Sequence, residues 1–163
     1  MNIAPKISKF LGAGIGFALL TACGGGMGGP QFDPESPGGE AYLYRESIMT
    51  LVADKMGLIG GMAREEIPLD EAKFVKATHD LAALSGMLME GFENDTIVPG
   101  SRSMPDIWSN MDDFKAKAMD FETAAKGLAA AADSGGFASA QGLVQGTAGT
   151  CGGCHRSYRE RTE

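Results

Sequence analysis

This sequence predicts an all-α fold, an antiparallel four-helix bundle, and three observations lead there. Apolar residues recur at three- and four-residue steps in four separate stretches beyond residue 38, the period of a helix with one buried face. Short segments marked by Gly60-Gly61, Pro68, Pro99-Gly100 and Ser134-Gly135-Gly136 join them, and short connections leave successive helices antiparallel. No stretch alternates with a period of two, so no strand competes. The 163 residues suffice for one core, and with aromatics at only 7% that core leans on Ala, Leu, Met and Val.

Residues 1–22 read as a lipoprotein-type signal peptide. Lys6 and Lys9 precede Phe10 to Leu20, an apolar run too short to cross a bilayer and suited to a signal core. Leu20-Thr21-Ala22-Cys23 is similar to the lipobox of bacterial lipoproteins, which makes Cys23 the lipidated first residue of the mature chain. The plainer alternative is a signal peptide cleaved nearby, with Cys23 incidental. Residues 23–38 follow as a tether. Gly24 to Ser36 has no periodicity and would span about 20 Å as a Gly-rich coil.

Residues 39–163 form the helical domain. A first helix is expected from about Gly39 to Met62, on Tyr44, Ile48, Leu51, Val52, Leu58 and Ile59. Asp70 is the expected N-cap of a second, running to about Gly91 on Phe74, Val75, Leu81, Leu84 and Leu88. Ser103 is expected to cap a third, with Pro105 in its first turn. Its seam is the cleanest of the four: Ile107, Met111, Phe114, Ala118, Phe121, Ala125, Leu128 and Ala132, alternating steps of four and three, as in a left-handed bundle. Ser134-Gly135-Gly136 ends it. A fourth helix, from about Phe137 to Arg159, presents Phe137, Ala140, Val144, Ala148, Cys151, His155 and Tyr158 on one face. Its five glycines from Gly142 to Gly153 each cost about 1 kcal/mol against Ala. A flat ring lying against the backbone would explain them.

Cys151-Gly152-Gly153-Cys154-His155 is the attachment signal of a c-type haem. Positions i, i+3 and i+4 share one helix face, so two thiols and an imidazole meet one object. Each thiol adds across one vinyl group, and His155 coordinates the iron. A zinc site usually needs four Cys or His ligands, and three Cys and two His with Cys23 used elsewhere do not supply them. A thioredoxin-like pair would follow a strand, and none precedes Cys151. Attachment of haem c agrees with export, and together they place the protein in the periplasm, anchored through Cys23.

Fourteen basic and 21 acidic residues give a net charge of −7, which becomes −9 once Lys6 and Lys9 leave with the signal segment. That balance argues against nucleic acid or an anionic membrane face as partner, and permits a basic redox partner.

The arrangement resembles the cytochrome c′ family, the class II c-type cytochromes, over roughly residues 40–160. Cys151, Cys154, His155, Tyr158 and Arg159 match its C-terminal haem motif. Pro105-Asp106-Ile107-Trp108-Ser109 with Phe114 and Lys115 is close to its Pro-Glu-Ile-Trp pattern, and Tyr44-Arg45-Glu46-Ser47 to its Tyr-Arg-Gln-Ser pattern. The resemblance implies one covalent haem within the bundle, Met49 over the iron face away from His155, Arg45 on a propionate, Arg159 beside His155, and Met89 and Phe92 lining the cavity. Glu46 departs from the family's Gln, so that residue's role is not carried over.

Met49 decides between two readings. As space-filler it leaves the iron five-coordinate, open to NO or CO, the expectation adopted here; as sixth ligand it makes a low-spin electron carrier. A peroxidase would need a distal acid–base group, which the neighbours of Met49 do not offer, and a structural lipoprotein with an incidental motif would carry no haem. His79, between Thr78 and Asp80, is read as facing water, and Trp108 as a core anchor. Electron-transfer partner proteins follow from the resemblance; many family members form dimers through their first two helices, which leaves a homodimer as one option for this chain.

Overall fold

Four long helices carry the chain in the computed structural model, which describes residues 31–161. The first is Pro37–Ala63 and the second Glu71–Met87. A helical stretch Met111–Tyr158 is divided by two glycines into a third helix, residues 111–134, and a fourth, residues 137–158. A 3-10 turn, Leu88–Phe92, follows the second helix, and a single turn, Asp106–Ser109, precedes the third. The signal-segment residues Lys6, Lys9 and Phe10 to Leu20, and Cys23, lie outside the described residues.

The caps explain the boundaries. Ser36 Oγ accepts from Gly39 N at 3.1 Å and Pro37 fills the first helical position, so the first helix starts two residues earlier than its periodicity suggested. Asp70 caps the second as expected, its carboxylate accepting from Lys73 N at 3.0 Å. The second helix ends at Met87 rather than Gly91. Its last turn tightens where Gly91 meets the first helix: a Cβ there would lie 2.7 Å from Arg45 Cγ. The third helix does not begin at Ser103. Asn110 (φ −130°, ψ 43°) breaks it after the turn Asp106–Ser109. The backbone of Ser103 pairs instead with Arg159 in an isolated antiparallel bridge. There Met104 N donates to Tyr158 O (3.1 Å) and Glu160 N to Arg102 O (2.9 Å).

The hinge between the third and fourth helices is two residues long. Gly136 (φ 62°, ψ −149°) takes the left-handed φ that favours glycine. Beside it Glu71 Oε1 accepts from Phe137 N at 2.6 Å, so the second helix caps the fourth.

Ring contacts fix the antiparallel order. Phe114 and Tyr158 lie 5.2 Å apart between centroids, joining the start of the third helix to the end of the fourth. Phe74 and Phe137 lie 5.0 Å apart, joining the starts of the second and fourth. The third-helix seam is buried as expected from Ile107 through Ala132, with Met111 half-buried. Two core expectations are corrected. Leu51 is 46% exposed. Ala148 is exposed and Thr147 buried in its place, tolerated because Thr147 Oγ1 donates to Leu143 O at 3.0 Å.

Candidate haem site

The part of the bundle that gathers the middle of the first helix, the 3-10 turn, the start of the third helix and the end of the fourth holds a cavity of about 440 Å³. That volume lies in the range of cofactor and ligand pockets. The fourth-helix seam Val144, Thr147, Cys151, Cys154, Tyr158 alternates steps of four and three, so the buried face delivers both half-buried thiols into the cavity. His155 joins them on the lining. The first helix contributes Arg45, Met49, Val52 and Met56, and the third Phe114, Lys117 and Phe121. Phe92 lines the cavity from the 3-10 turn. Met89 does not: it packs against the core beside it, and Leu88 occupies the wall. The 3-10 twist turns Met89 away from the position the resemblance implied.

Burial governs the titrating groups. It pushes the Cys154 thiol up to about 11 and raises Cys151 as well. Burial first, then the charges of Arg159 and Arg102, pull the His155 imidazole below its ordinary value. Imidazole is therefore neutral at pH 7, the form that ligates metal.

Arg45 is only 5% exposed. It donates from Nη1 to Gly91 O and from Nη2 to Thr96 O, both at 2.9 Å, and stacks over Phe92 with 5.4 Å to the ring centroid. Its Nε is buried and has no hydrogen-bond partner, and Arg45 is one of the residues that line the cavity. A buried donor of that kind fits an anionic group brought by a ligand. Together with two free thiols, a neutral imidazole and largely apolar walls, it fits a haem with its propionates. Among the described residues no three His, Cys, Asp or Glu are grouped as metal ligands.

Two cationic cavity residues escaped sequence reading. Arg102 lines the cavity because the Ser103–Arg159 bridge draws its loop against the fourth helix, and its guanidinium donates to Glu160 O (2.9 Å from Nη2). Lys117, paired with Asp113 at 2.9 Å, also lines it. Helical spacing from Phe114 could have found Lys117; nothing local marked Arg102. His79 is exposed and pairs with Asp133 at 2.7 Å, away from the cavity. Trp108 is half-buried, and its Nε1 donates to Phe92 O at 3.3 Å, anchoring the turn before the third helix.

The family model described as Cytochrome C′ matches residues 40–159, a range that includes the four helices from Glu40 onward and the Cys151–His155 motif. Cytochrome c-554 of Cereibacter sphaeroides is 38% identical over 121 residues, covering 72% of this chain and 78% of that protein. Cytochrome c′ of Rubrivivax gelatinosus is 33% identical over 124 residues, covering 76% and 96%. The crystal structure of the Rubrivivax protein superposes with a TM-score of 0.71 at 33% identity, over 76% of this chain and 97% of that one. A nitric oxide complex of a cytochrome c′ variant from Alcaligenes xylosoxidans superposes with a TM-score of 0.70 at 29% identity, over 77% and 97%. Haem c is the cofactor of these bundles and of this one. A bundle of this topology, closing on a cavity with two thiols and an imidazole and matched from residue 40 to 159, makes this chain a member of the cytochrome c′ family.

Proposed function

We propose that the protein is an exported one-haem carrier of electrons whose iron is five-coordinate and binds NO or CO on its open face. The observation that carries this reading is the common cavity of Cys151, Cys154 and His155 with the apolar first-helix residues Met49, Val52 and Met56. Cys151 and Cys154 would hold the ring through thioethers, and His155 would be the axial iron ligand. Arg45 would direct its unpartnered Nε to a propionate, and Arg159 would lie beside the imidazole and oppose its protonation. When bound, haem supplies a reversible ferric–ferrous couple and a coordination site for a neutral diatomic. Met49, Val52 and Met56 would exclude water and anions from that face, and the nitric oxide complex of the Alcaligenes relative supports the choice of ligand.

A second reading, with Met49 as sixth ligand in a low-spin carrier, is favoured by the presence of its thioether-bearing side chain on the cavity wall. Visible spectra of the purified ferrous protein with and without CO, beside Met49→Leu, separate the two. CO uptake by the unaltered protein is expected. Its absence there, with uptake gained in Met49→Leu, would overturn the five-coordinate reading. Export through the signal segment and anchoring through Cys23 belong to the same proposal, and labelling with a radioactive fatty acid, lost in Cys23→Ser, tests the anchor. Leu43 and Leu51, 44% and 46% exposed on the first helix, suit a dimer, which light scattering of the holoprotein would detect.

A further inference from the structure

Charge is distributed unevenly over this acidic molecule. Lys55, Arg64, Lys73, Lys76, Lys117 and Lys126 each sit within an ion pair to a carboxylate. Of the remaining cations among the described residues, Lys115 is exposed on the third helix without an ion pair to a described residue, and Arg45 is buried against backbone carbonyls. Arg102, Arg156, Arg159 and Arg161 form no ion pair with a described residue, and all four belong to the two segments that the Ser103–Arg159 bridge ties together at the cavity mouth. Arg102 and Arg159 line the cavity. Arg156 follows His155 and is exposed, as is Arg161. Among the described residues Glu160 is the acid within those segments, and Asp106, Glu46 and the Lys117-paired Asp113 are nearby. Two guanidinium groups therefore line the site and two more stand within six residues of His155, on a chain whose net charge is −7.

Arginine suits this task. Its planar fork matches carboxylates bidentately, and Arg102 is already held by its bond to Glu160 O, so less freedom is lost on contact. Local fields at a site, rather than net charge, orient a charged partner at encounter.

We propose that Arg102, Arg156, Arg159 and Arg161 form the docking surface for the acidic face of a redox protein, which meets the half-buried Cys151–His155 edge of the haem site. This rests on the electron-transfer reading. In the step tested, the ferrous holoprotein loses one electron and its oxidant gains it, and no bond forms or breaks.

Stopped-flow oxidation of the ferrous holoprotein tests the proposal with three probes: hexacyanoferrate(III), tris(phenanthroline)cobalt(III) and an acidic plastocyanin-type copper protein. Between about 10 and 300 mM salt the rates with the anionic complex and the copper protein should fall about tenfold, while that with the cobalt cation should rise or stay level. Arg156→Gln with Arg161→Gln should remove about half of the fall, in logarithmic terms, with the visible spectrum and urea midpoint unchanged. A rate with hexacyanoferrate(III) that rises with salt would mean that net charge governs approach, and would overturn the surface. So would salt dependence untouched in the double variant. A fall with hexacyanoferrate(III) but not with the copper protein would leave an anion-attracting rim and overturn docking of a protein. Failure of every probe to oxidise the haem would remove the electron-transfer reading itself.

Discussion

Replacing both thiols, Cys151→Ala with Cys154→Ala, asks how far the bundle depends on what fills its cavity. The cavity measures about 440 Å³. At roughly 24 cal/mol per Å³, an empty space of that size costs on the order of 10 kcal/mol. It opens to solvent through the half-buried motif, so entering water would offset about half, leaving ~5 kcal/mol. A domain of this size has only about 5–15 kcal/mol in all. The fourth helix adds little of its own, since Gly142, Gly146, Gly149, Gly152 and Gly153 each weaken it by about 1 kcal/mol against Ala. The haem-free double variant, with loss of Soret absorbance verified, should therefore show helical far-ultraviolet dichroism with weak near-ultraviolet signal and a broad urea transition. A single steep transition at the midpoint of the holoprotein would refute the reasoning, because the empty cavity would then cost nothing.

Other expectations concern the frame. Gly136→Ala should cost about 1–3 kcal/mol in urea unfolding, since it puts a Cβ at φ 62° and into the Glu71 carboxylate, whereas Gly142→Ala, with open space around its Cβ, should stabilise by about 0.5–1 kcal/mol. Arg45→Met should lower stability by about 2–3 kcal/mol by leaving the carbonyls of Gly91 and Thr96 without donors, read by the same denaturation. Asp113 is held below the usual carboxylate range by Lys117 first and by the Tyr158 hydroxyl second. A depressed folded-state pKa gives stability that is present above the unfolded value and is lost as pH falls through the folded one. Tyr158→Phe removes one cause, so its loss of stability relative to the unaltered protein should be largest near neutral pH and shrink toward acid, as unfolding at a series of pH values would show.

How much of this was legible before the structure depended on whether a signal was local. The third-helix seam from Ile107 to Ala132 was readable because burial on one helix face repeats along the chain. Asp70 as a cap and Gly135-Gly136 as a break were readable because backbone chemistry names them. The motif Cys151–His155 carried its own geometry through helical spacing. Most of what failed was set by contacts distant in sequence. Ser103 looked like a cap until Arg159 claimed its backbone, and that same pairing put Arg102 at the cavity. Leu51 matched the helical period but no described element covers it. Thr147 displaced Ala148 from the core because a helical carbonyl satisfied its hydroxyl, a bond that residue type alone does not announce. Met89 gave way to Leu88 because the last turn of the second helix tightened against the first.

The two-glycine hinge acts as a phase-setter for chemistry at the opposite pole of the molecule. From Gly136 to His155 the fourth helix climbs roughly 28 Å, at 1.5 Å per residue. Each residue advances the azimuth by about 100°. Glu71 clamps the first amide of that helix, so the starting angle is fixed by the second helix rather than by anything near the haem. One residue inserted at the hinge would preserve the motif, its spacing and every cavity residue on the other helices. It would nonetheless rotate both thiols and the imidazole about a quarter-turn or more out of register. The site's address is thus written in its motif, but its aim is dialled in at the far end of the bundle.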